Sequence, residues 1–189
     1  MDRLPPIPEA QWTDRQREEA AAIVAGPRGG LIGPFVPLLR SPELMGHAQR
    51  MGEYLRYRSA IPKHLSELAI LVTARAWSQE VEWAIHAPIA RERGIQESAI
   101  LAIAEGRTPE DLAADARIVV DFCRELHEDR AVTDVTWTSA VEAFGETGVV
   151  DLLGICGYYT LLSMVMNAAR TPAPASSAPR LALMPSKAR

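Results

Sequence analysis

Residues 62–94, PKHLSELAILVTARAWSQEVEWAIHAPIARERG, constrain the fold more than any other stretch. Leu65, Leu68, Ala69, Val72 and Ala76 recur at three- and four-residue steps, the spacing of one helical face, with none of the alternation that marks a half-buried strand. A second helical run follows Ser78, which reads as its N-cap, and Gly94 ends it. Two helices joined this tightly bury one another's apolar faces only in part, so further helices must cover them. The β-branched residues elsewhere also fall inside helical patterns, and the predicted class is all-α.

Those further helices can be placed from their ends. Residues 1–12 are Pro-rich and read as an N-terminal arm, on the surface or on a neighbouring subunit; residues 13–170 form a single helical domain. Thr13 and Gln16 have the form of a capping box, opening a helix over about 14–25 that stops near Gly26-Pro27. The Gly/Pro-rich stretch that follows is irregular, yet its Leu31, Ile32, Phe35, Val36 and Leu38 predict a packed loop. Ser41-Pro42-Glu43 signals the next helix, with Ser41 as cap and Pro42 at the first position, running to about Arg58. A short helix ends at Gly106, and Thr108-Pro109-Glu110-Asp111 reads as the start of a long one to Glu128. A helix over 134–144 stops at Gly145, and the most apolar one spans 148–169, where Gly154 and Gly157 suggest close helix contact. Residues 171–189, rich in Pro, Ala and Ser, read as a flexible tail.

Composition serves mainly to exclude. A net charge of −4 without a basic cluster argues against nucleic acid. No apolar run approaches the roughly 20 residues that span a bilayer, and the N-terminus lacks a signal pattern, so no membrane partner and a cytoplasmic setting are expected. Cys123 and Cys156 stand 33 positions apart in helical patterns, and read as two buried thiols rather than a redox or metal motif.

Gln79, Glu82 and His86 lie at steps of three and four, which places them on one helical stripe that continues into Ile89 and Ala90. A carboxylate beside an imidazole on an inward face is what proton transfer requires. The same spacing also fits an ordinary surface pair. Glu67 stands among Leu65, Leu68 and Ala69, and if buried it needs a partner, for which His86 is the natural choice; exposure near the helix start is the other reading. His64, Glu67, Glu82 and His86 include metal-ligand types, but not at metal-binding spacing, and no metal is expected.

The frame formed by Glu67, Gln79, Glu82 and His86 resembles the E-x11-C-x-x-C-x-x-x-H frame of the alkylhydroperoxidase D-like proteins. The segment EWAIHAPIARERGI is similar to the carboxymuconolactone decarboxylase family within that group. The resemblance covers about residues 30–170 and is strongest over 62–106. It implies an alkylhydroperoxidase D-like helical bundle, a trimeric or hexameric homo-oligomer, no cofactor, and a site near a subunit interface. The peroxidase and disulfide-reductase branch needs thiols where Gln79 and Glu82 stand, so that redox cycle is disfavoured. The cysteine-free branch implies a decarboxylase acting on a small carboxylated lactone or related enolisable acid, with hydrolysis or isomerisation using the same groups. In that reading His86 carries the proton, Glu82 orients it, and Glu67 is a second acid/base. Gln79, Trp83 and Arg58 are the candidate substrate contacts, with Arg40, Arg56 and Arg75 as alternative carboxylate holders. A non-enzymatic oligomeric binder of a small ligand is the remaining alternative.

Overall fold

Helix α4 (Lys63–Ala76) is buried on every side from Leu65 to Arg75, and the other helices are arranged around it. The computed structural model describes residues 1–27 and 29–182. In chain order the helices are α1 (Asp14–Ala25), α2 (Phe35–Leu38), α3 (Pro42–Tyr57), α4, α5 (Glu80–Glu92), α6 (Glu97–Ala104), α7 (Ala114–Glu128) and α8 (Asp134–Ala169), and no strand occurs among the described residues. Helices α5, α7 and α8 pack directly on α4, with α3 and α6 completing its surround. A helix enclosed this way presents its polar residues to partners on several sides rather than to water. Glu67, Thr73 and Arg75 are all buried there, and each meets a different neighbourhood.

Several local expectations hold at atomic detail. Thr13 and Gln16 form the reciprocal capping box of α1. Gly145 (φ 68°, ψ 170°) breaks α8 into the two helical runs read from the sequence, using a backbone region open chiefly to glycine. Phe35 and Leu38 are buried, although the loop that carries them also forms the short α2, which the Gly/Pro content concealed.

Other expectations are corrected. Ser41 precedes α3, but its side chain makes no cap bond; Pro42 and the Ser41 carbonyl, which accepts from the Met45 N–H, set the start instead. Helix α7 begins at Ala114, not at Thr108-Pro109, because Arg117 reaches back and donates to the carbonyls of Pro109 and Glu110, holding that segment as a loop. Helix α8 is long and apolar enough to cross a bilayer, contrary to the sequence expectation. Its most apolar window is 56% buried inside the bundle, and it carries the buried Asp151, which accepts from Tyr54 Oη and the Ala60 N–H. It therefore serves as a core helix here.

The N-terminal arm lies on its own bundle. The Arg3 N–H donates to the Ala169 carbonyl, and Arg40 donates to the carbonyls of Leu4 and Pro5. The C-terminal stretch 171–182, expected to be flexible, runs along α5 and α6. Pro88 inside α5 has no N–H to give the Ala84 carbonyl, and the Ser176 hydroxyl supplies that bond at 2.8 Å. Trp83 Nε1 donates to the Pro179 carbonyl and the Ala182 N–H to the Ala104 carbonyl. The rest of that expectation, 183–189, lies outside the described residues.

Close helix contact falls on one of the two glycines expected, Gly154, and on Gly52, which was not expected. A Cβ at Gly52 of α3 would land on the Tyr158 hydroxyl of α8, and one at Gly154 would press on Leu55, whereas Gly157 faces open space. Tyr158 is 1% exposed and its ring has no room to retreat. Gly52→Ala is therefore expected to lose about 1–3 kcal/mol by overpacking, read from the urea unfolding midpoint.

Candidate active site

The α4–α5 hairpin brings Glu67, Glu82 and His86 together, each 4% exposed or less. Helix α4 supplies Glu67 from its second turn, and α5 supplies Glu82 and His86 one turn apart on the face turned to α4. His86 Nδ1 lies 2.6 Å from Glu67 Oε2, and His86 Nε2 lies 3.4 Å from Glu82 Oε2. A carboxylate can only accept, so Nδ1 carries a proton toward Glu67. Burial works against an imidazolium here, but the two carboxylates outweigh it and raise the His86 pKa above its ordinary value.

The surroundings complete the charge balance. Arg93 Nε stands 3.6 Å from Glu67 Oε1, and the half-buried Arg56 guanidinium feels both carboxylates. Tyr159 of α8 meets the His86 ring edge-on, with centroids 5.2 Å apart. Its burial, with a smaller contribution from Glu82, keeps the phenol protonated far above its usual range. One atom of the cluster is left over: Glu82 Oε1 is buried and has no hydrogen-bond partner among the described residues. A buried carboxylate oxygen without a donor is costly, and such an atom marks a place where something else binds or where a proton is exchanged.

The structure separates the remaining candidates from this cluster. Gln79, not Ser78, caps α5: its Oε1 accepts from the N–H groups of Val81 and Glu82, and its Nε2 donates to Asn167 Oδ1 of α8. Ser78 instead occupies the turn at φ 47°. Gln79→Ala is thus expected to cost about 1 kcal/mol of thermal stability through the lost cap, measured by calorimetry. Trp83 is 1% exposed and tied to Pro179, a core residue rather than a substrate platform. Arg58 lies on the surface at 4.0 Å from Glu53 and over the Tyr54 ring, and Arg40 is committed to the N-terminal arm. Of Arg40, Arg56, Arg58 and Arg75, only Arg56 faces the cluster, and Arg93 and Tyr159 join it although the sequence did not point to them. Arg93 stood in the ARERG run, one turn beyond Ile89 on the same helix, a signal that spacing alone contained.

The two cysteines are buried thiols, as expected, but nothing in their spacing showed that they meet. Cys123 on α7 and Cys156 on α8 are both free and buried, yet their sulfurs are 3.5 Å apart. The hydrogen bond from Cys123 draws the Cys156 pKa down to about 6, against burial and helped by His127, while the same bond and burial push Cys123 well up. Thr73 Oγ1 donates to the Ala69 carbonyl, so His127 Nε2, 3.0 Å away, must carry its own proton toward that hydroxyl.

Fold and site together define an all-helical bundle enclosing a carboxylate–imidazole–carboxylate array. A crystal structure titled as an alkylhydroperoxidase AhpD core, an uncharacterized peroxidase-related protein from Ralstonia eutropha JMP134, has the same fold: TM-score 0.71, 18% identity, covering 89% of this chain and 90% of that one. The chain thus has the alkylhydroperoxidase D-like helical fold. No family model and no curated protein sequence matches it.

Proposed function

We propose that the chain is a cofactor-independent acid–base enzyme of the carboxymuconolactone decarboxylase type, acting on a small carboxylated lactone or related enolisable acid. The observation that carries this reading is the unpartnered, buried Glu82 Oε1 beside an imidazole already locked by Glu67. Loss of carbon dioxide leaves an electron pair that a conjugated lactone carbonyl holds as an enolate. The protein then has to hold the acid, stabilise the charge and return a proton to carbon.

In this proposal the two acids take the opposite roles from those expected, on the strength of their distances to His86. Glu67, at 2.6 Å, is the group that orients and charges His86. Glu82, at 3.4 Å from Nε2 and with a free oxygen, is the one placed to exchange a proton between His86 and substrate. Arg56 and Arg93 are the cations available for the substrate carboxylate. Glu67, Glu82 and His86 are each 4% exposed or less in the single subunit. Homo-oligomerisation is part of the proposal: Val150, Gly157 and Met164 recur every seven residues as an exposed stripe on α8, with Gly157 leaving room for a second backbone.

The test is turnover of a panel of carboxylated lactones by wild type, His86→Ala and Glu82→Gln. Equal rates in all three would remove the assignment. A second reading is favoured by one observation, the Cys123–Cys156 contact. A dithiol there can reduce a hydroperoxide, its two thiols becoming a disulfide as the peroxide yields alcohol and water. Peroxide consumption with a dithiol reductant that is abolished by Cys156→Ala, and untouched by Glu82→Gln, selects that reading instead.

A further inference from the structure

A cavity of about 430 Å³ opens between α4, α6 and α7, and it shares no residue with the Glu67–Glu82–His86 cluster. Arg75 lines it from α4. That side chain is 4% exposed, and its Nε, Nη1 and Nη2 are all buried without a hydrogen-bond partner among the described residues. Such a group cannot escape by losing its proton, because guanidinium stays charged even where burial lowers its pKa, as it does here. Five N–H donors in a dry position call for an acceptor that the fold does not supply.

The other charged groups on the wall are already engaged. Arg107 bonds Glu105, and Arg124 bonds Thr108 Oγ1 and pairs with Glu128 at 3.0 Å. His127 turns its Nε2 to Thr73. Asp129 stands on the exposed rim, and Glu80 acts on Arg75 through space without reaching ion-pair distance. Arg75 is therefore the cation with donors to spare, at a depth where an ion pair is little screened. Val72 and Val120 give the same cavity apolar wall.

We infer that this cavity binds a small organic oxyanion, a carboxylate or phosphate head on a short apolar body, with Arg75 holding the head. A planar guanidinium takes either head through two parallel N–H bonds. The volume falls within the range of small-molecule sites. The inference does not depend on the proposed reaction, since neither site borrows a residue from the other.

The experiment titrates the full chain with inorganic phosphate, acetate and hexanoate, following the Arg75 Nε–H resonance and the unfolding midpoint. At least one probe is expected to shift that resonance and raise the midpoint in wild type. Hexanoate ahead of acetate assigns part of the binding to the apolar wall, and phosphate ahead of both assigns it to the doubly charged head. Arg75→Gln is expected to bind about tenfold more weakly or worse, while its unliganded midpoint stays level or rises because a stranded charge is gone. Arg75→Lys, with charge but no fork, should fall between. The inference is overturned if no probe binds wild type or if Arg75→Gln binds as well as wild type. The resonance shift in wild type reads the site even if a variant fails to fold.

Discussion

His86→Ala is expected to lower the unfolding free energy by about 3–5 kcal/mol at pH 7, the range for breaking a buried ion pair from one side. The reason is what stays behind. Glu67 Oε2 and Glu82 Oε2 both face the imidazole, so its removal leaves two buried carboxylates opposed across a void. Arg93 remains 3.6 Å from Glu67, but Glu82 has no ion-pair partner other than His86 among the described residues. The deficit should be largest below about pH 6.5, where folded His86 holds its proton, and shrink as pH rises through its raised folded pKa. A urea series on both proteins across pH 4–8 measures this; a loss that does not vary with pH would mean that lost packing, not charge, is responsible.

The same array makes wild-type stability depend on pH with a fixed sign. The folded-state pKa of His86 is raised above its ordinary 6.5 by Glu67 and Glu82, burial notwithstanding. A group of this kind binds its proton more tightly folded than unfolded. Its contribution is therefore complete below about pH 6.5 and is lost as pH rises through the raised folded value. His86→Ala removes that slope, which separates it from the other titrating groups.

The sequence disclosed this array because its members are local to one hairpin. Glu82 and His86 are one turn apart on one helix, and Glu67 lies on the helix that the tight connection folds back. What it concealed depends on distant chain. Periodicity identified one apolar face of α4 but gave no sign that the opposite faces are covered too, which is why Thr73 and Arg75 emerge as buried. Ser78 looked like the better cap by residue type, yet Gln79 wins because its amide also reaches Asn167, 88 positions on. Arg58 and Arg56 are two residues apart, and which one faces inward depends on where α3 packs against α4 and α8. Cys123 and Cys156 meet because α7 and α8 pack side by side, a pairing no spacing rule contains.

If the proposed function holds, Glu82→Gln should reduce kcat on a carboxylated lactone by about 100- to 10,000-fold, the usual contribution of a positioned acid or base. The substitution preserves shape, and the amide oxygen can still accept from His86 Nε2, while Glu67 continues to hold Nδ1 at 2.6 Å. The amide cannot take up and release a proton, so chemistry is removed with little change in packing. KM should move far less than kcat, because the interaction lost acts on the reacting proton rather than on ground-state binding. Glu67→Gln makes the useful contrast: the ring keeps a neutral partner, Nδ1 stays oriented, and the imidazolium loses its closest counter-charge. Its pH–rate profile should shift toward lower values, because that carboxylate helps hold the His86 pKa up. If Glu82→Gln turned over substrate at the wild-type rate while Glu67→Gln did not, proton exchange would run through Glu67, and the unpaired oxygen of Glu82 would have no part in the reaction.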